Sequence, residues 1–179
     1  MNYLTSHAGS DNAFTAQTDT NFHFDVANDA FEGGLDRLAQ FFISPTFTES
    51  STEREVNAVD SEYQMALQVD GWHTENLFQQ LSNKDSALHK FACGNIDTLR
   101  KEGMRENLLE FHSKWYSSNI MSLTVYGNQD LQTLEGWVRD KFSPIVNKHV
   151  VRPDLGDPAP YGPDDLGKFV KFVPVTDDD

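Results

Sequence analysis

Two carboxylates seven residues apart, Glu55 and Glu62, stand in the decapeptide REVNAVDSEY at 54–63. It lies inside a helix-like run over about 49–81 that contains no proline. Seven residues is close to two helical turns, so both side chains point to one face. Val59, Ala58 and Ala66 line or border that face. Acids on a partly apolar stripe are costly unless they are solvated, paired or bound to a cation. Two readings follow from the pattern: solvated glutamates, the common state of acids on helices, or carboxylates that hold and support a metal ion.

The six histidines are His7, His23, His73, His89, His112 and His149, and no two have the spacing of an H-x-x-E-H helix. His89 and Cys93 are four apart, a metal pair only if helical, and a lone pair lacks the other two ligands that zinc needs. His112 reads as a hydrogen-bonded histidine at a core margin, with no nucleophile beside it. The sequence has no G-x-S-x-G, P-loop, G-x-G-x-x-G or H-E-x-x-H motif.

The elements that must position these residues can be read in order. Residues 1–9 read as the end of a helix closed by Gly9. Residues 12–16 and 20–26 read as two strands, because Phe22, Phe24 and Val26 alternate with Asn21, His23 and Asp25; 17–19 is the turn. Asn28 is placed to cap a helix over 29–43, whose stripe is Phe31, Leu35, Leu38, Ala39 and Phe42, with Pro45 beyond its end. Asp70-Gly71 interrupts or kinks the long helical run. A loop over 83–95 precedes an amphipathic helix over 104–116, with Met104, Leu108, Phe111, His112 and Trp115 on one side. Residues 121–126 alternate as a strand. Asp130 caps a helix to Phe142, with Leu131, Leu134, Val138 and Phe142 inward. A Pro, Gly and Asp-rich loop over 151–167 leads to a last strand at 168–175. Helices interleaved with a few strands predict an α+β fold, and the absence of a mid-chain linker predicts one domain over 1–179.

Composition bounds the function. A chain of 179 residues with 38% hydrophobic and 23% charged content suits a soluble globular protein. A formal charge of −14 argues against nucleic acid and anionic membrane surfaces as partners. The single cysteine, Cys93, excludes an intramolecular disulfide and fits a reducing compartment. The N-terminal stretch lacks the apolar core of a signal peptide, and no run has the length of a membrane span. The expected location is cytoplasmic.

REVNAVDSEY closely resembles the segment that carries the third zinc ligand in the insulysin and pitrilysin metallopeptidases, the inverted-zincin family. HAGSDNAFTAQTDTNFHFDV, Trp72, Lys90-Phe91, Gly94-Asn95 and FHSKWYSSNIMSLTVYGN extend the resemblance over almost the whole chain. It implies an antiparallel-rich sheet with helices packed on it, the middle and C-terminal part of a first peptidase domain. It implies zinc as cofactor, with Glu62 as ligand and Glu55 as a neighbouring acid that supports the site without binding the ion. The other ligands, two histidines, and the glutamate base belong to an H-x-x-E-H helix that this sequence lacks, so it reads as a segment of a zinc metalloendopeptidase starting just after that helix and inactive alone. Asn12, Ala13 and Phe14 occupy the positions of a strand whose edge pairs with extended substrate; on physics alone they suit an ordinary strand with Phe14 in the core. The implied partners are extended peptides and the remaining parts of the same peptidase. Glu75 departs from the family, which commonly has an apolar residue there near the substrate pocket. A second reading is a non-catalytic pitrilysin-like binding or assembly protein that holds extended peptides along the 12–16 strand.

Overall fold

The computed structural model describes residues 2–16, 18–90, 93–154, 158–165 and 167–175. Its elements are α1 (Asn2–Ser6), β1 (Ser10–Thr15), β2 (Thr20–Asp25), α2 (Phe31–Ile43), α3 (Glu49–Ala66), α4 (Asp70–Leu81), α5 (Ile96–Leu99), α6 (Met104–Trp115) and α7 (Leu131–Phe142). The fold is α+β, helix-rich, and its sheet is an antiparallel two-stranded hairpin. Residues group into two compact units, one of 1–47 with 108–152, the other of 48–107 with 153–179. Among the described residues no helix is long and apolar enough to cross a membrane.

In the first unit, β1 and β2 pair from Ser10↔Asp25 to Thr15↔Thr20. The alternation along β2 does what its period predicts: Phe22 and Phe24 are half-buried, and their neighbours are exposed. Phe22 meets Phe42 edge-on at 5.5 Å between ring centroids, and Phe24 lies 6.0 Å from Phe31. Phe31 continues to Trp137 of α7 at 6.4 Å, and Phe42 stacks on Tyr116 at 6.2 Å. These rings carry the hairpin onto α2, whose Leu35 and Ala39 form the buried centre with Leu4, Ala30 and Leu134. Lys141 of α7 donates to Glu32 of α2 at 3.0 Å.

Helix α1 closes differently from expectation. The residue with left-handed backbone is Ala8, at φ 54°, and Gly9 donates to Leu4 O at 2.8 Å, the outer bond of a Schellman closure. Gly9 is required for another reason: a Cβ there would sit 2.2 Å from the carbonyl oxygen of Asp25. Asn28 does not cap α2. It opens a 3-10 turn, Asn28–Ala30, and its Oδ1 accepts from Gln129 Nε2 at 3.0 Å, while Ala30 stands at the helix start without a side-chain cap. The tertiary bond to Gln129 has taken the side chain that the local pattern assigned to the helix.

The strand expected at 121–126 is absent. That segment follows a 3-10 turn, Ser118–Ile120, as irregular chain, because a strand exists only with a ladder partner and no described residue supplies one. Asp130 does cap α7, accepting from Thr133 N at 2.8 Å. Leu134 is buried and Val138 and Phe142 are half-buried, but Leu131, expected inward, is 84% exposed. On α6, Phe111 is exposed rather than packed. His112 was expected to be hydrogen-bonded, and it is, to the backbone of Phe41 and Phe42 at the end of α2; its Nε2, however, is buried with no partner, and its ring stacks on Tyr116.

In the second unit, Thr48 caps α3 by accepting from Ser51 N. The break that Asp70-Gly71 predicts falls just before them, at 67–69, where Val69 is extended. Val56 and Ala66 bury one side of α3. Its polar side binds α5: Asp60 Oδ1 accepts from Ile96 N at 2.8 Å, and Arg100 Nη2 reaches Asn57 Oδ1 at 2.8 Å and Glu53 at 2.9 Å. Helix α5 was not anticipated at the edge of the 83–95 loop. Its signal is the capping box between Asn95 and Thr98. Tyr161 donates to Phe78 O at 2.6 Å, Asn83 N to Pro160 O at 2.8 Å and Val175 N to Asp70 at 2.7 Å. The described part of 151–167 is irregular apart from a 3-10 turn, Pro163–Asp165. The described part of 168–175 is also irregular, not the strand expected, for the same want of a ladder partner.

Candidate functional site

Helix α3 presents two polar faces with different uses. Glu53, Asn57 and Asp60 recur at helical spacing and are committed to α5. Glu55 and Glu62 lie on the opposite face by the same period. Both are exposed, and among the described residues neither carboxylate has a hydrogen-bond or ion-pair partner. A carboxylate in this state is an open oxygen donor, which suits a hard or borderline cation.

Glu62 has one electrostatic neighbour of note. The thiol of Cys93 is pushed above its ordinary range, first by burial and then by the Glu62 carboxylate. A thiol raised in this way is not primed as a nucleophile. Cys93 Sγ donates to Gly94 O at 3.3 Å, and His89 Nδ1 is tied to Gln79 O at 3.0 Å. The described residues contain no group of three or more His, Cys, Asp or Glu arranged to hold a metal. Among the described residues, then, the carboxylates of Glu55 and Glu62 stand as single oxygen donors rather than as parts of a ligand set.

Asn12, Ala13 and Phe14 lie on β1, and every residue of that strand is exposed. Phe14 is 53% exposed, so the alternative that placed it in the core does not hold. Ala16 N donates to Asp19 O at the turn. Antiparallel bonding alternates from there, so Ser10, Asn12 and Phe14 bond inward to β2, while Asp11, Ala13 and Thr15 turn their backbone groups to the outer edge. No described strand pairs with that edge. Asn12 Oδ1 accepts from the Ala13 amide at 2.8 Å, so one outer donor is held by a side chain. The rest of the edge is open to an added strand.

Comparison with known proteins agrees along the chain. Residues 1–85 match the family model described as Insulinase (Peptidase family M16), and residues 104–178 match Peptidase M16 inactive domain. The chain is 45% identical over 179 residues to "Putative zinc protease mug138" of Schizosaccharomyces pombe. It is 46% identical over 182 residues to insulin-degrading enzyme of Drosophila melanogaster and 42% over 181 to that of Homo sapiens. These matches cover 97–98% of the chain and 18% of each relative, so the chain spans less than a fifth of their length. The crystal structure of pitrilysin superposes with a TM-score of 0.81 at 37% identity, over 86% of this chain and 17% of that one. Two models of one peptidase family on successive stretches of the chain, relatives above 40% identity and a shared backbone lead to one conclusion: this chain belongs to the insulysin/pitrilysin family.

Proposed function

We propose that the chain is a segment of a zinc metalloendopeptidase that hydrolyses peptides and small proteins, with Glu62 as one zinc ligand. The observation that carries this reading is the pair of exposed, unpartnered carboxylates on α3, Glu55 and Glu62, on a helix whose opposite polar face is already used in packing. The relative named as a putative zinc protease supplies the metal. Glu62 fits zinc as a single oxygen donor, and a complete site needs three protein ligands. In this reading two histidines and the glutamate base come from an H-x-x-E-H helix outside the present sequence. The chemistry a bound zinc supplies is Lewis-acid activation of water and carbonyl. Glu55, two turns from Glu62 on the same face, orients the site electrostatically without binding the ion. The open edge of β1, at Asn12, Ala13 and Phe14, receives extended substrate as an added strand.

The same edge would serve a non-catalytic peptide-binding relative, and metal content separates the two. Glu62→Gln keeps volume and removes the charge. In the full-length protein it is expected to abolish most bound zinc and most hydrolysis of an extended fluorogenic peptide. Glu55→Gln is expected to cost roughly 10–100-fold in activity or zinc affinity, with bound zinc still detectable. Elemental analysis and peptide hydrolysis on both variants check this. Full zinc occupancy and full activity in Glu62→Gln would show that the carboxylate is merely solvated.

A further inference from the structure

Phe47 has a left-handed backbone, φ 38°, a conformation that a bulky side chain disfavours. It stands between Pro45, just past the end of α2, and Thr48, the cap of α3. A ring contact holds it: Phe47 meets the imidazole of His112 edge-on, at 6.3 Å and 69°. His112 is stacked in turn on Tyr116, at 4.5 Å and 27°. Its Nε2 is buried and unpartnered, which a neutral ring tolerates and a cation does not. Lys148 stands nearby, donating from Nζ to the backbone carbonyls of Ser113 at 2.7 Å and of His112 itself at 3.4 Å. A proton added to His112 would create a second positive charge beside that ammonium.

We propose that His112 and Phe47 form an acid-released latch: the neutral imidazole pins Phe47 in its left-handed conformation, and protonation of His112 frees the 44–48 segment that leads into α3. The groups facing the ring set the direction. Burial and then Lys148 hold the imidazole below its ordinary value, while the carbonyls of Phe41 and Phe42, at the end of α2, act the other way. Tyr116 stays neutral, because burial pushes its phenol up. Above the ordinary imidazole value, about 6.5, latched and released forms bind the same protons and the latch is closed. As pH falls below it, the released form takes up more protons and gains population. The latch does not depend on Glu62 binding zinc.

Hydrogen exchange of the 44–48 amides in the full-length protein, corrected for intrinsic exchange, tests it. Between pH 7.5 and 5.0 the opening constant is expected to rise roughly three- to tenfold. In His112→Phe, which keeps a ring and removes the titration, the rise is expected to fall below about twofold. An acid response of equal size in His112→Phe, or none in the parent protein, overturns the latch. Phe47→Gly, which removes the ring and relieves the backbone, gives an independent reading: fast exchange at both pH values is expected, and protection equal to that of the parent protein overturns it. Slow C2–H exchange at His112 reports its midpoint directly in the parent protein, and a midpoint at or above the ordinary value also overturns it.

Discussion

Single residues in this chain are specified as much by what lies above their Cα as by their own chemistry. Gly9 and Gly136 show the two extremes. A Cβ on Gly9 would meet backbone, Asp25 O at 2.2 Å and Val26 Cα at 2.9 Å, whereas a Cβ on Gly136 in α7 would meet nothing within 4 Å. Gly9→Ala is expected to destabilise by about 1–3 kcal/mol or more, since backbone cannot move aside as a side chain can. Gly136→Ala is expected to stabilise by up to about 1 kcal/mol, because an exposed helical glycine gives up only its excess chain entropy. Urea denaturation of the two variants checks the opposite signs, and equal shifts would contradict the packing argument. Glu55 and Glu62 illustrate the same rule from the other side. Their spacing was legible in the sequence, but their freedom from partners became visible only once α5 was seen to occupy the opposite face of α3.

At the scale of elements, local signals governed wherever the partner lay within a turn or two. Asp130 caps α7 as its sequence predicts, and the Thr133 backbone amide, followed by the Thr133 side chain, holds its carboxyl below the usual carboxylate range. A carboxyl lowered in the fold stabilises above its unfolded value, about 3.9, and loses that contribution as pH falls through its folded value. Fraying at the start of α7 is therefore expected to grow below about pH 4. Asp130→Asn, which still accepts a hydrogen bond, should flatten that dependence while keeping the cap. Asp130→Ala should fray at every pH. Exchange of the 131–134 amides against pH distinguishes the three. Asn28 marks the limit of such reasoning, since its side chain went to Gln129, 101 residues away, a competitor that no local window contains.

For the whole molecule, the chain carries −14 charges and yet exposes several large apolar groups: Tyr126 at 93%, Phe169 at 92%, and Leu131 and Val173 each at 84%. Charge opposes association and exposed apolar area favours it. The 179-residue chain alone is expected to bind a hydrophobic dye or to self-associate, and to hydrolyse no extended peptide in a chelator-sensitive way. A monodisperse monomer with a sharp two-state thermal transition and no dye binding would reverse the first expectation, and chelator-sensitive cleavage the second. The α+β class, the hairpin at 10–25, the stripe of α2, the break between α3 and α4 and the cap of α7 were determined by the sequence itself, because periodicity, caps and breakers act within a few residues. So was the family, through REVNAVDSEY and the stretches around it. The tertiary structure decided the rest. It left 121–126 and 168–175 without ladders, moved Asn28 from cap to cross-link, left Nε2 of His112 buried and unpartnered and exposed Phe14 on an open strand edge. Each of these depends on a neighbour distant in the chain, and an alternating pattern states which face a strand would bury without stating whether a partner is there to make it a strand.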